Sequence, residues 1–351
     1  MLLAGDIGGT KTNLALFNPE EGARAPLKEG TFPSGEYASL EAVLREFLVS
    51  VDERIEHACF AVAGPVVAGG ANITNLPWVM KEQHLTEALD FTTVHLMNDL
   101  AAIAYAVPHL KEADTYTINE GSAVDDGAIA VIAPGTGLGE AFLTCNQGRY
   151  SAHASEGGHV DFAPANAVQM ELLRYLQESY DHVSYERVCS GIGIPNIYAF
   201  FKDTGRFEEP EWLTHRLAAA SDPTPVISIA AQDVTQSCAI CDATLDTFVE
   251  ILGAEAGNLA LKVLATGGIY LGGGIPPRIL ALLETGEFMS AFLQKGRFLR
   301  LLNSMPVRVI LNHKAALLGA AHYVLANAQL DTDANPPTNP VSVTPAQLED
   351  L

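Results

Sequence analysis

Basic residues are scarce in this chain of 351 residues, which has 20 Lys and Arg against 42 Asp and Glu and a formal net charge of −22. Nucleic acids and anionic membranes would repel such a chain, so we expect neither as a partner. An anionic nucleotide could bind only with local help from backbone amides, a cation or a few lysines.

Long apolar runs and cysteines are also few. No apolar run reaches the roughly 18 residues that a membrane helix requires, and no basic segment precedes the apolar start Met1–Ala4, which argues against a secretory signal. The five cysteines fit a reducing compartment without disulfides. Cys238 and Cys241 form a C-x-x-C pair in a helical pattern, and we interpret them as structural rather than metal-binding. We therefore expect a cytoplasmic protein, and the length suggests two domains.

Two glycine-rich turns, Gly5–Thr10 and Pro134–Gly139, each lie between two strand-like segments. In Walker and Rossmann motifs a helix follows the turn, whereas Thr12–Phe17 and Glu140–Thr144 both have the pattern of extended chain. Each turn is therefore predicted to be the tip of a β-hairpin whose backbone N–H groups and threonine hydroxyl can hold a phosphate. The alternative is a tight hairpin that uses glycine for steric reasons alone. Two such hairpins suggest a nucleotide held by two related halves.

Two charged residues flank the first turn. Asp6 stands immediately before it, where a carboxylate beside phosphate is unfavourable unless Mg²⁺ intervenes, for example through water. Lys11 follows it and could supply positive charge to the phosphates, although a solvated surface lysine is the simpler interpretation. The first hairpin is thus a candidate Mg²⁺ and phosphate site.

A second candidate is the pair Asn98-Asp99, which ends the apolar segment Val94–Met97. One interpretation is a helix N-cap, because Asn and Asp are favoured there and a helix-like stretch follows. The other is an amide that orients a hydroxyl beside a carboxylate that takes its proton. The two interpretations can hold at different residues.

The third candidate is the segment Ser155–Asp161, whose paired glycines disfavour a helix and leave Glu156 and His159 on a shaped loop. Metal ligation, an acidic surface loop and hydrogen bonding to a polyol are all open for these residue types. Glu186, taken alone, has the position of an ordinary acidic residue at a helix start.

The apolar periodicity predicts a coarse order of elements. Helices are expected over residues 36–54, Val168–Tyr180, Ala243–Ala265 and Lys314–Ala326. Strands are expected at Ala58–Val62, Val94–Met97, Ala128–Ala133, which starts a repeat of the first β pattern, and Gly268–Leu271, which leads into Gly272–Gly274. From Asp331 onward the chain is rich in Pro, Thr and acid, which is typical of a loosely held tail.

Together these segments closely resemble the bacterial ATP-dependent glucokinase family, the group distinct from the ROK kinases. The ten residues Ser155–Pro164 are the most specific match, and the Cys-rich zinc motif of the ROK sugar kinases is absent. Lys11 departs from the family pattern, since many members carry Asn there. The other matching stretches are Gly5–Lys11, Ala71–Asn75, Met97–Asp99, Pro134–Gly139, Glu186–Gly193 and Gly268–Gly274.

The resemblance implies an α/β fold of the two-domain actin-like ATPase (ribonuclease H-like) sugar-kinase class, with the active site in the interdomain cleft. A smaller domain would span residues 1–109 and be joined by a C-terminal helix near residues 312–328. The larger domain would span residues 110–311, followed by a Pro/Thr/acid-rich tail at residues 329–351. The family also implies a homodimer.

The resemblance further implies transfer of the γ-phosphate of ATP to the 6-hydroxyl of D-glucose, the entry step of glycolysis. Asp99 would be the general base, and Asp6 would hold Mg²⁺ through water. The sugar hydroxyls would be bound by Asn98, Glu156, His159, Glu186 and Asn75. The phosphates would be held by Asp6, Gly8, Gly9, Thr10, Lys11, Gly135, Thr136 and Gly137, and the adenosine would lie near Gly272, Gly273 and Gly274.

Three alternatives stay open. Another hexose or amino sugar, such as mannose or glucosamine, could be the acceptor. A sugar-responsive regulator without catalysis is a second class, although such proteins usually add a basic DNA-binding module. An actin-like chaperone or filament ATPase would share the phosphate hairpins but would have no use for the Glu156, His159 and Glu186 set.

Overall fold

The computed structural model describes residues 1–73 and 76–332, the side chains of residues 329–332 excepted. Its strands are β1 Leu2–Ile7, β2 Lys11–Phe17, β3 Pro26–Pro33, β4 His57–Val62, β5 Val66–Val67, β6 Gly70–Asn72, β7 Val79–Lys81, β8 Thr93–Asn98, β9 Thr115–Asn119, β10 Ile129–Pro134, β11 Leu138–Asn146, β12 Arg149–Ser155, β13 Gly268–Leu271 and β14 Val307–Ile310.

The helices include one long element, α8, and several of one or two turns. Their bounds are α1 Leu40–Leu48, α2 Glu82–Leu89, α3 Asp99–Ala106, α4 Ala167–Gln177, α5 Gly193–Asp203, α6 Glu211–Ala219, α7 Pro223–Ala230, α8 Ala239–Val263, α9 Leu280–Leu283, α10 Glu287–Leu293, α11 Leu299–Asn303 and α12 Ala315–Thr332. Short 3-10 turns lie at Ser34–Glu36, Val107–His109, Glu112–Asp114, Gly157–His159, Tyr185–Arg187, Pro276–Arg278 and Gly296–Phe298. No helix in the described ranges is both long enough and apolar enough to cross a membrane.

Two large sheets repeat one layout. The first has the order β3-β2-β1-β4-β8, and the second has the order β12-β11-β10-β13-β14-β9. In each sheet a hairpin leads into parallel neighbours: β1 pairs with β2 antiparallel and β4 parallel, and β10 pairs with β11 antiparallel and β13 parallel. The predicted repeat of the first β pattern is therefore confirmed. A small third sheet has the order β5-β6-β7.

The chain divides into two units. The first contains Met1–Leu110, Tyr150–Ala154 and the described residues from Asn312 onward. Its central strands are apolar along nearly their whole length, because the sheet is covered by helices on both faces. Helices α1 and α2 contribute to one core, and α3 and α12 contribute to the other. At Gly319 helix α12 approaches α3 so closely that an added Cβ atom would overlap the carbonyl of Ala102.

The second unit contains Lys111–Arg149 and Ser155–Leu311. All six residues of β10 are buried, and α8 is buried along most of its 25 residues. The helix ends at Val263, and the next residue, Leu264, adopts a left-handed conformation with a φ of 51°. This unit holds the largest hydrophobic core in the described chain, to which α4, α5 and α10 also contribute.

Two expectations need correction. The helix predicted over residues 36–54 is limited to α1, because the Ser39 side chain caps it by accepting a hydrogen bond from the Ala42 N–H, and the chain before it makes a 3-10 turn. Helix α12 continues to Thr332, so the predicted tail does not begin at residue 329. Residues 333–351 lie outside the described chain. Cys238 occupies the N-cap position of α8 and Cys241 lies within the helix, and both thiols are buried and free of disulfides.

Candidate active site

The first glycine turn is the tip of a hairpin, as predicted. Ile7 pairs with Thr12 across β1 and β2, and the N–H of Gly8 donates to the Lys11 carbonyl at 3.0 Å. Thr10 and Lys11 are exposed at this tip. The backbone amides and the threonine hydroxyl therefore lie where a phosphate could approach from solvent.

Ser34 holds this tip in shape, and sequence reasoning missed it. Its N–H donates to the Thr10 carbonyl at 3.0 Å and its hydroxyl donates to the Gly8 carbonyl at 2.8 Å. The Ser34 and Thr12 hydroxyl oxygens are 3.0 Å apart, and both residues are fully buried. No local motif marks Ser34, because its contact depends on β3 pairing with β2.

Asp6 occupies the strand position that leads into the first turn. It pairs across the hairpin with Asn13, whose Nδ2 atom donates to Asp6 Oδ2 at 3.2 Å. The Thr31 hydroxyl in turn donates to Asn13 Oδ1 at 2.9 Å, which orients the amide. Burial raises the pKa of Asp6, while the Asn13 hydrogen bond and the Lys11 charge oppose this shift. Asn13 is a second supporting residue that the sequence alone did not reveal.

Asn98 acts as the N-cap of α3. Its Oδ1 atom accepts hydrogen bonds from the N–H groups of Leu100 at 3.0 Å and Ala101 at 3.1 Å. Its Nδ2 atom donates to the Gly64 carbonyl at 3.1 Å. Because a side-chain amide has two N–H donors, one donor beyond the Gly64 bond is all that Asn98 can offer a ligand. The capping interpretation is therefore correct for Asn98, and any role toward a sugar is restricted to that donor.

Asp99 begins α3 and lies in the same environment as Asp6. Strands β1, β4 and β8 are parallel, with Ile7 opposite Val62 and Val62 opposite Asn98, so both carboxylates stand at the carboxyl-end edge of the sheet. Burial raises the pKa of Asp99 to about 6, with a further contribution from the negative charge of Asp6. The N–H of Leu100 donates to Asp99 Oδ1 at 2.8 Å and opposes the shift.

The second glycine turn is also a hairpin tip. Pro134 pairs with Leu138, and the N–H of Gly135 donates to the Gly137 carbonyl at 2.9 Å. The tip carbonyls of Gly135 and Thr136 accept hydrogen bonds from Gly191 at 2.7 Å and Ile192 at 3.3 Å. The turn is thus anchored from one side by the segment that leads into α5.

Glu186 is in contact with this second tip. Its Oε2 atom accepts a hydrogen bond from the Leu138 N–H at 3.0 Å, and an added Cβ atom at Gly137 would overlap the same carboxylate. The side chain belongs to the 3-10 turn Tyr185–Arg187 rather than to a helix start. Its position therefore joins a predicted sugar-binding residue to a predicted phosphate-binding turn.

The glycines after β13 stand beside the same hairpin. The N–H of Gly272 donates to the Ile132 carbonyl at 2.9 Å, which continues the β10–β13 pairing. Gly273 has a φ of +79°, and a Cβ atom there would overlap the Pro134 carbonyl. Only glycine fits this position without strain, for both reasons. Gly274 follows at the same edge of the sheet.

Glu156 and His159 project from a short loop that packs on β11. Their side chains are 77% and 60% exposed, and Glu156 Oε2 lies 3.8 Å from His159 Nε2. Between them, added Cβ atoms would overlap the Glu140 side chain at Gly157 and the Leu138 carbonyl at Gly158. The paired glycines thus permit close packing while both flanking side chains face solvent.

One of the earlier alternatives for the Glu156 and His159 loop can be compared with this geometry. Among residues 1–73 and 76–332, no group of three or more His, Cys, Asp or Glu is arranged to hold a metal ion, so metal ligation by the Glu156 and His159 loop gains no support. Asn75, the remaining predicted sugar ligand, and its neighbour Thr74 lie outside the described residues.

The two large sheets share one layout, in which a glycine hairpin lies beside a parallel strand. This duplicated layout defines the actin-like class of phosphotransferases and ATPases. Asp99 at one sheet edge adds an ionisable group suited to accept a proton, as the sugar kinases of this class require. The Glucokinase family model matches residues 3–327, and the chain belongs to that family.

Individual relatives agree with this family. The curated glucokinase of Trichormus variabilis is 40% identical over 334 residues, which cover 92% of this chain and 98% of that protein. The crystal structure of a glucokinase from an Antarctic psychrotroph is 34% identical with a TM-score of 0.80, covering 92% of this chain and 98% of that one. A ROK family glucokinase from Streptomyces griseus, solved with glucose and AMPPNP, shares the fold at a TM-score of 0.60 and 18% identity, covering 92% of this chain and 98% of that one. The predicted family and the actin-like fold are confirmed.

Proposed function

We propose that this protein is an ATP-dependent glucokinase that transfers the γ-phosphate of ATP to the 6-hydroxyl of D-glucose. The observation that carries the proposal is Asp99, a partly buried carboxylate immediately after β8 whose pKa is raised to about 6. Such a group is mostly ionised at neutral pH and yet basic enough to take a proton from an attacking hydroxyl. The family membership of the chain supports the same reaction.

Asn98 would contribute mainly by fixing where Asp99 stands. Its cap bonds to Leu100 and Ala101 define the first turn of α3, which carries the Asp99 side chain. Its remaining amide donor would bind a sugar hydroxyl next to the one that reacts. Phosphoryl transfer depends largely on such positioning, so this support would matter for the rate.

The two hairpins and Lys11 would hold the phosphates of ATP, with Gly272, Gly273 and Gly274 near the adenosine. Asp6 fits a Mg²⁺ ion bound through water, because burial disfavours its negative charge and a cation would relieve that cost. Mg²⁺ commonly uses one or two carboxylates together with substrate phosphates. When bound, the ion would neutralise charge on the phosphates, while Asn13 keeps the Asp6 carboxylate oriented.

Glu156, His159 and Glu186 would bind the other hydroxyls of the sugar, and we retain Asn75 as a further candidate. A carboxylate can accept from two adjacent hydroxyls, and an imidazole can donate or accept. An epimer with a misplaced hydroxyl would leave one of these groups unpaired, which would lower its turnover. Another hexose or amino sugar remains the alternative acceptor.

A coupled assay of ADP release tests the proposal. Glucose, mannose, glucosamine and fructose would be compared as acceptors, and ATP, ADP and polyphosphate as donors, with and without Mg²⁺. We expect ATP with glucose to give the highest kcat/KM. Sugar binding without turnover would favour a regulator instead, and ATP hydrolysis unaffected by sugar would favour a filament ATPase. Light scattering on the same sample tests the homodimer, and fractionation of cells tests the cytoplasmic location.

A further inference from the structure

Two carboxyl side chains meet in the core of the second unit. Glu140 extends from β11 and Glu255 from the middle of α8, and they are 1% and 0% exposed. The negative charge of Glu255 acts on Glu140 and contributes to raising its pKa, so the two carboxyl groups interact within the core. Two buried carboxyl groups in contact cannot both ionise without a large energetic cost, so a shared proton is expected.

The surroundings indicate which member of the pair carries the proton. Glu255 accepts from Asn258 Nδ2 at 2.8 Å and from Lys262 Nζ at 3.2 Å, which stabilises its charged form. Glu140 Oε1 is buried without a hydrogen-bond partner in the described part of the chain. Burial and the negative charge of Glu255 raise the pKa of Glu140 to about 8, and Lys262 opposes this shift. We therefore expect Glu140 to be the neutral member of the pair and to have a proton available for Glu255.

Glu140 also lies directly beneath the loop that carries Glu156 and His159. Its carboxyl group fills the space that a side chain at Gly157 would need. The N–H of Gly157 donates to Ser155 Oγ at 3.0 Å, which ties the loop to the end of β12. A Cβ atom at Gly158 would overlap the Leu138 carbonyl, so the loop backbone also lies close to β11. A change in the charge of Glu140 would act first on this loop.

Other titratable groups face the pair from neighbouring elements. Lys262 lies on α8, and Lys295 follows α10. Tyr185 lies in the 3-10 turn that contains Glu186, and Cys189 follows that turn. Burial and the charge of Glu255 raise the pKa of Tyr185 and of Cys189, so both stay neutral across the pH range of interest. Lys262 and Lys295 face Glu255, and Lys262 already donates to it. A second negative charge on Glu140 would thus have no dedicated partner.

We propose that Glu140 is a positioning residue, which as a neutral acid paired with Glu255 supports the Gly157–His159 turn in the conformation that presents Glu156 and His159 to the sugar. The proposal rests on the proposed function for the identity of the ligand. It predicts that ionisation of Glu140 at alkaline pH disturbs sugar binding more than the chemical step.

The test compares the wild type with Glu140→Gln, which is nearly isosteric and can donate an N–H to Glu255 but cannot titrate. The KM for glucose and kcat would be measured from about pH 6.5 to about pH 9.5. We expect the wild-type KM to rise by about threefold or more above pH 8 and the variant KM to stay level, with similar kcat profiles. Glu250→Gln, which changes another α8 carboxylate, is the matched control and should behave as the wild type. Parallel KM profiles for wild type and Glu140→Gln would overturn the proposal.

Hydrogen exchange of a peptide that spans residues 155–161 provides a readout that needs no activity. After correction for intrinsic exchange, the wild-type loop should lose protection above about pH 8 and the Glu140→Gln loop should not. Loss of protection without any sugar phosphorylation would reject the proposed function but keep the positioning role. If Glu140→Gln fails to fold, the wild-type protein alone still tests the proposal. If protection of the wild-type loop does not change near about pH 8, Glu140 does not have the proposed positioning role.

Discussion

The carboxylate of Glu186 occupies the space beside Gly137 that a Cβ atom at that residue would need, and its Oε2 atom accepts a hydrogen bond from the Leu138 N–H at 3.0 Å. No positive φ explains this glycine, so its role is to allow the close approach. The position of the Glu186 side chain and the conformation of the second hairpin consequently depend on each other. A disturbance of either should affect both proposed ligands.

We expect Gly137→Ala to lower kcat/KM for ATP and for glucose together, by about 10- to 100-fold, because small displacements of positioning groups have large effects. Steady-state kinetics with each substrate varied would measure this. Gly35→Ala is the matched control, since a Cβ atom at Gly35 would meet nothing within 4 Å. A change confined to the KM for ATP would mean that Glu186 does not serve the sugar.

Asp99→Asn should separate activity from stability. Because the substitution removes the general base, it should reduce turnover by about 10²–10⁴-fold. The same change removes a partly buried charge on a group whose pKa is raised to about 6, so the free energy of unfolding at neutral pH should increase by about 1–3 kcal/mol. Urea unfolding and the coupled assay measure the two effects. The exposed Asp52→Asn variant is the control, and near-wild-type turnover for Asp99→Asn would reject the base.

The pH dependence follows from the sign of the Asp99 shift. Because the folded pKa lies near 6, kcat/KM should rise as the pH increases through about 6 and then level off. The contribution to stability has the opposite trend, being present below the unfolded pKa and lost as the pH approaches 6. Profiles of kcat/KM and of Tm against pH would show both. An acid limb near pH 4, the ordinary range of Asp, would contradict the assignment.

Asp6→Asn should raise the Mg²⁺ concentration needed for half-maximal activity by about tenfold, because the proposed carboxylate for the hydrated ion is lost. It should also move the acid limb of kcat/KM to lower pH, since the charge of Asp6 raises the pKa of Asp99. Titration with Mg²⁺ at several pH values measures both shifts. An unchanged Mg²⁺ dependence would show that Asp6 does not bind the metal ion. The electrostatic effect of Asp6 on Asp99 would still be tested by the position of the acid limb.

Gly319→Ala tests the packing of α12 on α3. The added methyl group would overlap the Ala102 carbonyl, and overpacking of this kind costs about 1–3 kcal/mol. Thermal unfolding compared with Gly35→Ala would measure the loss. A stabilised Gly319→Ala variant would show that the two helices can separate without cost, because alanine otherwise favours a helix over glycine.

Several features of the fold could be predicted because their causes are local. The apolar periods of β1, β2, β10 and β11 and the glycines between them predicted both hairpins, which the structure confirms. The helix expected over residues 36–54 was too long, because apolar periodicity does not record the Ser39 cap that begins α1. The apolar periodicity likewise predicted the end of α12 at Ala326, whereas the helix continues to Thr332.

The candidate site was predictable only in part. The residue types at positions 98 and 99 allowed both a cap and a base, and the structure assigns the cap to Asn98. Ser34 and Asn13 were missed because each acts through a residue brought near by strand pairing. Glu140 was missed because a lone acid in an apolar strand has no motif, and its partner Glu255 lies far away in the sequence.

By itself the sequence determined the two hairpins, the family and the reacting chemistry to expect, because glycine placement and short motifs act over a few neighbouring residues. The tertiary structure decided the electrostatic state of Asp99, the support of the hairpins by Ser34 and Asn13, and the buried pair of Glu140 and Glu255. These features depend on burial and on charges contributed by distant segments. Burial and the distances between side chains exist only in the folded chain, so they cannot be read directly from the sequence.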